Sequence, residues 1–162
     1  AAPPATVPGA AAASRPAAAR AAGAVPRTSP ESDRITAMED QVAALVNGER
    51  ERAGCRRMHK DERMSIAARL HSADMARYDY FSHTGRNGSS FVDRLEHAGY
   101  PRGHAAGENI AYGYSTAQAV VEAWMGSTGH RNNILNCDAR ASGVGLSYQG
   151  RTAYWTQEFG RE

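Results

Sequence analysis

The sequence predicts an α+β domain in which helices pack against a small antiparallel sheet. Three observations lead there. Apolar residues recur at helical spacing in successive stretches between Met38 and Trp124. From Val144 onward the period shortens to two, the spacing of a strand. The sequence ahead of this patterned region, from Ala1 to about Pro30, is almost wholly Ala, Pro, Gly, Arg, Ser and Thr, with no aromatic residue, and so lacks the material of a core. Residues 1–31 are therefore expected to be a disordered linker or tail, and residues 32–162, roughly 130 residues, one domain.

The elements follow in order. Thr36 with Glu39 reads as a capping box, and Met38, Val42, Leu45 and Val46 carry a helix to about Arg52, ended by Gly54. Asp61 or Ser65 caps a second helix to Tyr78, with Ile66, Ala67, Leu70, Ala73 and Met75 as its apolar positions. On it, His71 and Asp74 share a face as a surface or supporting pair. The stretch from Thr84 to Gly88 is turn chemistry. A short third helix then starts at Ser90, with Asp93, and closes at Gly99. Ser115 with Gln118 caps a fourth, whose Ala117, Val120, Val121 and Trp124 lie on one face. Val144, Leu146 and Tyr148, a turn at Gly150, and the alternation from Ala153 to Phe159 make a hairpin with one apolar face.

A formal charge of +2 and the lack of a basic run along any face exclude nucleic acid as an expected partner. The basic cluster of Arg50, Arg52, Arg56, Arg57, His59 and Lys60 is interleaved with acids and reads as a solvated loop edge. No stretch approaches the ~20 apolar residues of a membrane span. The chain starts at Ala1 with no hydrophobic signal core, so an export signal is expected to have been removed. Cys55 and Cys137 lie far from any CxxC spacing, which leaves a two-thiolate metal site or a single disulfide; the disulfide of an exported domain is the simpler reading. Closing a loop of that length would stabilise by roughly 4 to 5 kcal/mol in the chain-entropy model.

Three polar residues in small or turn-forming contexts stand out as candidates. His83 precedes a glycine turn, Glu108 lies between Gly107 and Asn109 where it could lock a turn, and His130 follows Gly129 at the start of a short helix. Each has a purely structural reading when taken alone. No HExxH, CxxC, GxSxG, GxGxxG or GxxxxGK[ST] accompanies them, and neither Ser82 nor Ser127 has the elbow or third group of a serine nucleophile. Tyr112, Tyr114, Trp124 and Trp155 read as core, with stacking on a sugar or lipid as the alternative.

Taken together, Phe81–Thr84 (FSHT), Gly107–Ala111 (GENIA), Trp124–Leu135 (WMGSTGHRNNIL) and Tyr154–Gly160 (YWTQEFG) resemble the CAP superfamily, also called SCP or PR-1-like domains, in its secreted bacterial branch. The resemblance runs from about Met38 to Gly160. It implies an α-β-α sandwich with an open cleft lined by two histidines and a glutamate, which map by motif to His83, His130 and Glu108. Many eukaryotic members add a second glutamate three residues after the tryptophan of the fourth helix, where this chain has Ser127. Cys55 and Cys137 lie where exported bacterial members often carry a disulfide.

The expected function is that of a secreted extracellular module whose cleft binds a small ligand or a divalent metal. Two neutral imidazoles and a carboxylate suit such an ion, zinc best, so His83, Glu108 and His130 form the candidate ligand set. Asn109, Arg131, Asn132 and Ser127 are expected to bracket it. Two alternatives carry different chemistry. One is a metal-dependent hydrolase of peptide or cell-wall material, with Glu108 as candidate general base; the other is a domain that takes a sterol or another lipid in an apolar groove.

Overall fold

The computed structural model describes residues 29–162, so the linker expected over residues 1–31 lies, up to Thr28, outside the described residues. The elements are α1 (Pro30–Arg52), β1 (His59–Lys60), α2 (Glu62–Tyr78), α3 (Phe91–His97), a 3₁₀ turn (Arg102–His104), β2 (Ala105–Tyr112), α4 (Ala117–Met125), α5 (Thr128–Ile134), β3 (Ala141–Gln149) and β4 (Thr152–Gly160). The strands form one sheet in the order β1-β3-β4-β2, with β1 parallel to β3 and the other pairs antiparallel. This is an α+β fold of the α-β-α type.

The two faces of β4 show how the layers are built. Ala153, Trp155 and Phe159 join Val42 and Val46 of α1, Val120, Val121 and Trp124 of α4, and Ile134 of α5 in one apolar cluster. Residues of opposite parity face α2: Tyr154 packs with Met75 and Ala76, and the Thr156 hydroxyl lies 2.8 Å from that of Ser72. The hairpin therefore buries both faces of β4, not the single apolar face expected. β4 is flanked by β3 and β2 and covered on both sides, so each parity meets a helix.

Helix α2 rests almost directly on β3. A Cβ on Gly143 would collide with the backbone at Met64 and Ser65, and one on Gly145 with the backbone at Ala68 and Arg69. Small residues, Ser65, Ala67, Ala68, Ser72 and Ala76, make up most of the buried face of α2, and Met64, His71 and Met75 complete it. Ile66 and Leu70, expected as core positions, turn outward and are 44% and 61% exposed, and Ala73 is exposed as well.

Several ends differ from expectation. α1 begins at Pro30, with the Ser29 hydroxyl accepting from the Ser32 N–H; proline suits this first position, which needs no donor. Thr36 is therefore an interior residue. Glu39 is buried, accepting from the Arg69 guanidinium and from the Leu146 N–H. α4 is capped by Thr116, not Ser115, through the Ala119 N–H. The caps of α2 and α3, Asp61 and the Ser90–Asp93 box, stand as expected.

The basic stretch is only partly solvated. Arg50 is wholly buried and donates to the carbonyls of Arg56, Ile134, Asn136 and Ala139, while β1 pairs two of the remaining residues with β3. Burial lowers the Arg50 pKa, with carbonyl dipoles in place of a counter-ion. Beside it the Cys55–Cys137 disulfide, with Cα atoms 4.9 Å apart, ties the end of α1 to the segment after α5. No helix among the described residues is long and apolar enough to cross a membrane.

Candidate functional site at the open edge of the sheet

Glu108 lies in strand β2, paired across the ladder with Glu158 of β4, and not in the turn its flanking Gly107 and Asn109 suggested. β2 is an outer strand, so helical layers can reach around its open edge. Gly107 permits this approach: a Cβ there would stand 2.8 Å from Asn133 Oδ1. Asn133, on α5, donates to the Glu108 carbonyl at 3.2 Å and to Asn109 Oδ1 at 2.9 Å, and Asn109 donates to the His130 carbonyl at 3.1 Å. These bonds fasten α5, and His130 with it, to β2.

His83 comes from the loop after α2. Its position is set by buried His71, whose Nε2 lies 2.8 Å from the Ser82 carbonyl, and by Arg94, which donates to the His83 carbonyl at 2.9 Å. Nδ1 of His83 sits 2.7 Å from Glu108 Oε1. The other oxygen, Oε2, accepts from Arg94 at 2.7 Å. Glu108 is buried and both its oxygens are engaged.

Burial pushes the Glu108 carboxyl up. The neighbouring acid Glu158, the His83 bond and the Arg94 charge outweigh burial and hold it down at about 2. Glu158 moves the other way. Wholly buried beside Glu108, it is raised well above the usual carboxylate range by burial and then by the charge of Glu108. The pair therefore holds one ionised and one protonated carboxyl, since two charges at adjacent buried positions are too costly. The second carboxyl that Ser127 fails to supply is present on β4.

Ser127 has another task. At the N-cap position of α5 its hydroxyl caps no backbone group and lies 2.9 Å from His130 Nδ1. Burial, and then the charge of His83, lower the His130 pKa. Each imidazole thus has Nδ1 engaged and Nε2 without a protein partner among the described residues. A carboxylate accepting from Nδ1–H fixes a tautomer whose Nε2 lone pair is free for a ligand.

Of the candidate ligand set, His83 and Glu108 are in contact, and His130 feels the His83 charge. With both oxygens taken, Glu108 orients His83. Among the described residues no group of three or more His, Cys, Asp or Glu side chains is placed to hold a metal ion. Of the expected brackets Asn109 and Ser127 act as such. Arg131 is exposed and reaches only the Met125 carbonyl at 3.4 Å, and Asn132 is exposed too. Asn133, Arg94 and Glu158 take the supporting roles. Only Glu158 left a signal in the sequence, a lone acid inside the otherwise buried YWTQEFG strand.

The fold and the disulfide are those of a secreted CAP domain. The chain belongs to this family: the model of the Cysteine-rich secretory protein family, CAP, matches residues 43–159. An uncharacterized protein of Bacillus subtilis (strain 168), YkwD, is 41% identical over 125 residues, covering 77% of this chain and 48% of that protein. The crystal structure of an extracellular SCP-domain protein from Bacillus anthracis is 29% identical with a TM-score of 0.71, covering 84% of this chain and 45% of that one. An outer surface protein of Borrelia burgdorferi shares the fold at 18% identity and a TM-score of 0.68, covering 76% of this chain and 91% of that one. The chain spans less than half the length of the Bacillus proteins it matches. It is an extracellular domain of the bacterial kind.

Proposed function

We propose that the domain is an extracellular binding module that takes its ligand, a small molecule or a divalent metal, on the Nε2 atoms of His83 and His130. The observation that carries this reading is the His83–Glu108–Arg94 chain. A buried carboxylate held at about 2 fixes one ring nitrogen and leaves the other presented. Such preorganisation lowers the ordering cost of binding. A bound divalent ion would supply a Lewis acid with open coordination positions for an anionic or carbonyl group.

The hydrolase alternative is less well supported. A carboxylate titrating at about 2 is a weak base at neutral pH, and both its oxygens are occupied. The sterol alternative meets a limit of size. The cavity beside His130 holds about 260 Å³, below the ~300 to 1,000 Å³ of pockets that enclose drug-sized ligands, and the larger cavity of about 500 Å³ along Ile66, Ala67, Leu70 and Ala98 is lined by neither His83 nor His130.

Zinc titration of the whole chain by calorimetry tests the proposal. Binding should be lost in His83→Ala and in His130→Ala and weakened roughly 10- to 100-fold in Glu108→Gln, the usual effect of removing an outer-shell partner. Heats identical in all four proteins would overturn it.

A further inference from the structure

The cavity beside His130 has a lining that the metal reading does not use. It is lined by His130, Ser127 and Trp124 together with Phe81, Tyr112 and Tyr114. Phe81 and Tyr112 meet edge to face, with centroids 4.8 Å apart, and Tyr112 stacks on Tyr154 at 5.7 Å. These rings are supported from behind yet remain exposed, Phe81 at 46% and Tyr112 at 52%. No Asp, Glu, Lys or Arg lines the cavity. Among the described residues the Tyr112 and Tyr114 hydroxyls bond no other side chain or backbone group.

We infer that this cavity is a subsite for one neutral sugar ring of an oligosaccharide. A pyranose has apolar C–H faces edged by hydroxyls, and the cavity offers the complement: aromatic faces edged by tyrosine hydroxyls, a serine and an imidazole. The absence of charge fits a neutral ring better than a phosphate or carboxylate ligand. The hydroxyl edge fits it better than an acyl chain, which would leave those groups unpaired. Its 260 Å³ suits a single ring. The inference rests on the reading of this cleft as a binding site, to which it adds the class of ligand.

The test is calorimetric titration of the full 162-residue chain with a neutral N-acetylglucosamine trimer, without added metal. Binding should weaken tenfold or more in Tyr112→Ala and by less in Tyr112→Phe, which keeps the ring and loses the hydroxyl. It should be unchanged in Tyr148→Ala, an exposed tyrosine outside the cavity. Circular dichroism of each variant separates lost binding from lost folding. No binding by the folded wild type, equal affinity in folded Tyr112→Ala, or displacement of the trimer by dodecanoate would each overturn the inference. Zinc binding that persists in that case would leave the imidazole reading standing, so the two failures are distinguishable.

Discussion

Replacing Glu108 by Gln removes an ionised carboxylate at nearly constant shape, and the pH dependence of the cost follows from linkage. Glu108 titrates at about 2 in the folded chain against an ordinary value of 4.5. Each pKa unit corresponds to about 1.4 kcal/mol, so ionisation of this group stabilises the fold by about 3 kcal/mol once the pH exceeds its unfolded value. Because the folded pKa is depressed, that stability is present above the unfolded value and is lost as pH falls through the folded one. Burial keeps solvent from screening the interaction. Glu108→Gln should therefore be about 3 kcal/mol less stable than wild type near neutrality and should approach it in acid. Urea denaturation of both proteins across the acid-to-neutral range measures the difference. A gap as large in acid as at neutrality, or no gap at neutrality, would refute the assignment of Glu108 as the ionised member of the pair.

Glu158 predicts the opposite trend. Its folded pKa is raised, so its contribution is complete in acid and falls as pH rises toward the folded value. Glu158→Gln should flatten the alkaline limb of the wild-type stability curve, and a limb that steepens would contradict the protonated state. Arg50→Ala should cost about 3 kcal/mol or more, since it leaves the buried Ile134 and Ala139 carbonyls without donors; a urea midpoint within error of wild type would count against this. Gly145→Ala should destabilise by about 1 to 3 kcal/mol or prevent folding, because the added methyl meets the backbone of α2; equal stability would show that α2 can withdraw. Reduction of Cys55–Cys137, which spans 82 residues, should lower stability by about 4 kcal/mol, read as a drop in the denaturation midpoint under reductant.

The layers of this fold were legible in the sequence where helical spacing was unbroken. Ala117, Val120, Val121 and Trp124 mark the buried face of α4 without ambiguity, whereas the alternation of β4 identified the strand but not the burial of both its faces. β2 was not legible. Its GENIA core mixes glycine, acid and amide because each serves a neighbour: Gly107 admits Asn133, Glu108 holds His83 and Arg94, and Asn109 holds α5. A strand whose residues are chosen by site contacts loses the period that identifies strands. Ile66 and Leu70 misled for a related reason, since α2 crosses the glycines of β3 on the face that carries Ser65, Ala67, Ala68 and Ser72 and leaves Ile66 and Leu70 outward. The site's two histidines were found through motifs. The partners that orient them, Arg94 and Asn133, lie 14 and 25 residues from Glu108 in sequence and become neighbours only when α3 and α5 close on the edge of β2.

Glu108 and Ser127 hold the two imidazoles by Nδ1 and leave each Nε2 for a ligand. Long-range ¹H–¹⁵N spectra of the histidine rings in mildly alkaline buffer, recorded before and after one equivalent of zinc, test it most directly. His83 should be the Nδ1–H tautomer, and zinc should shift the Nε2 resonances of His83 and His130 together. A His83 that carries its proton on Nε2, or a zinc response confined to one ring, would contradict it.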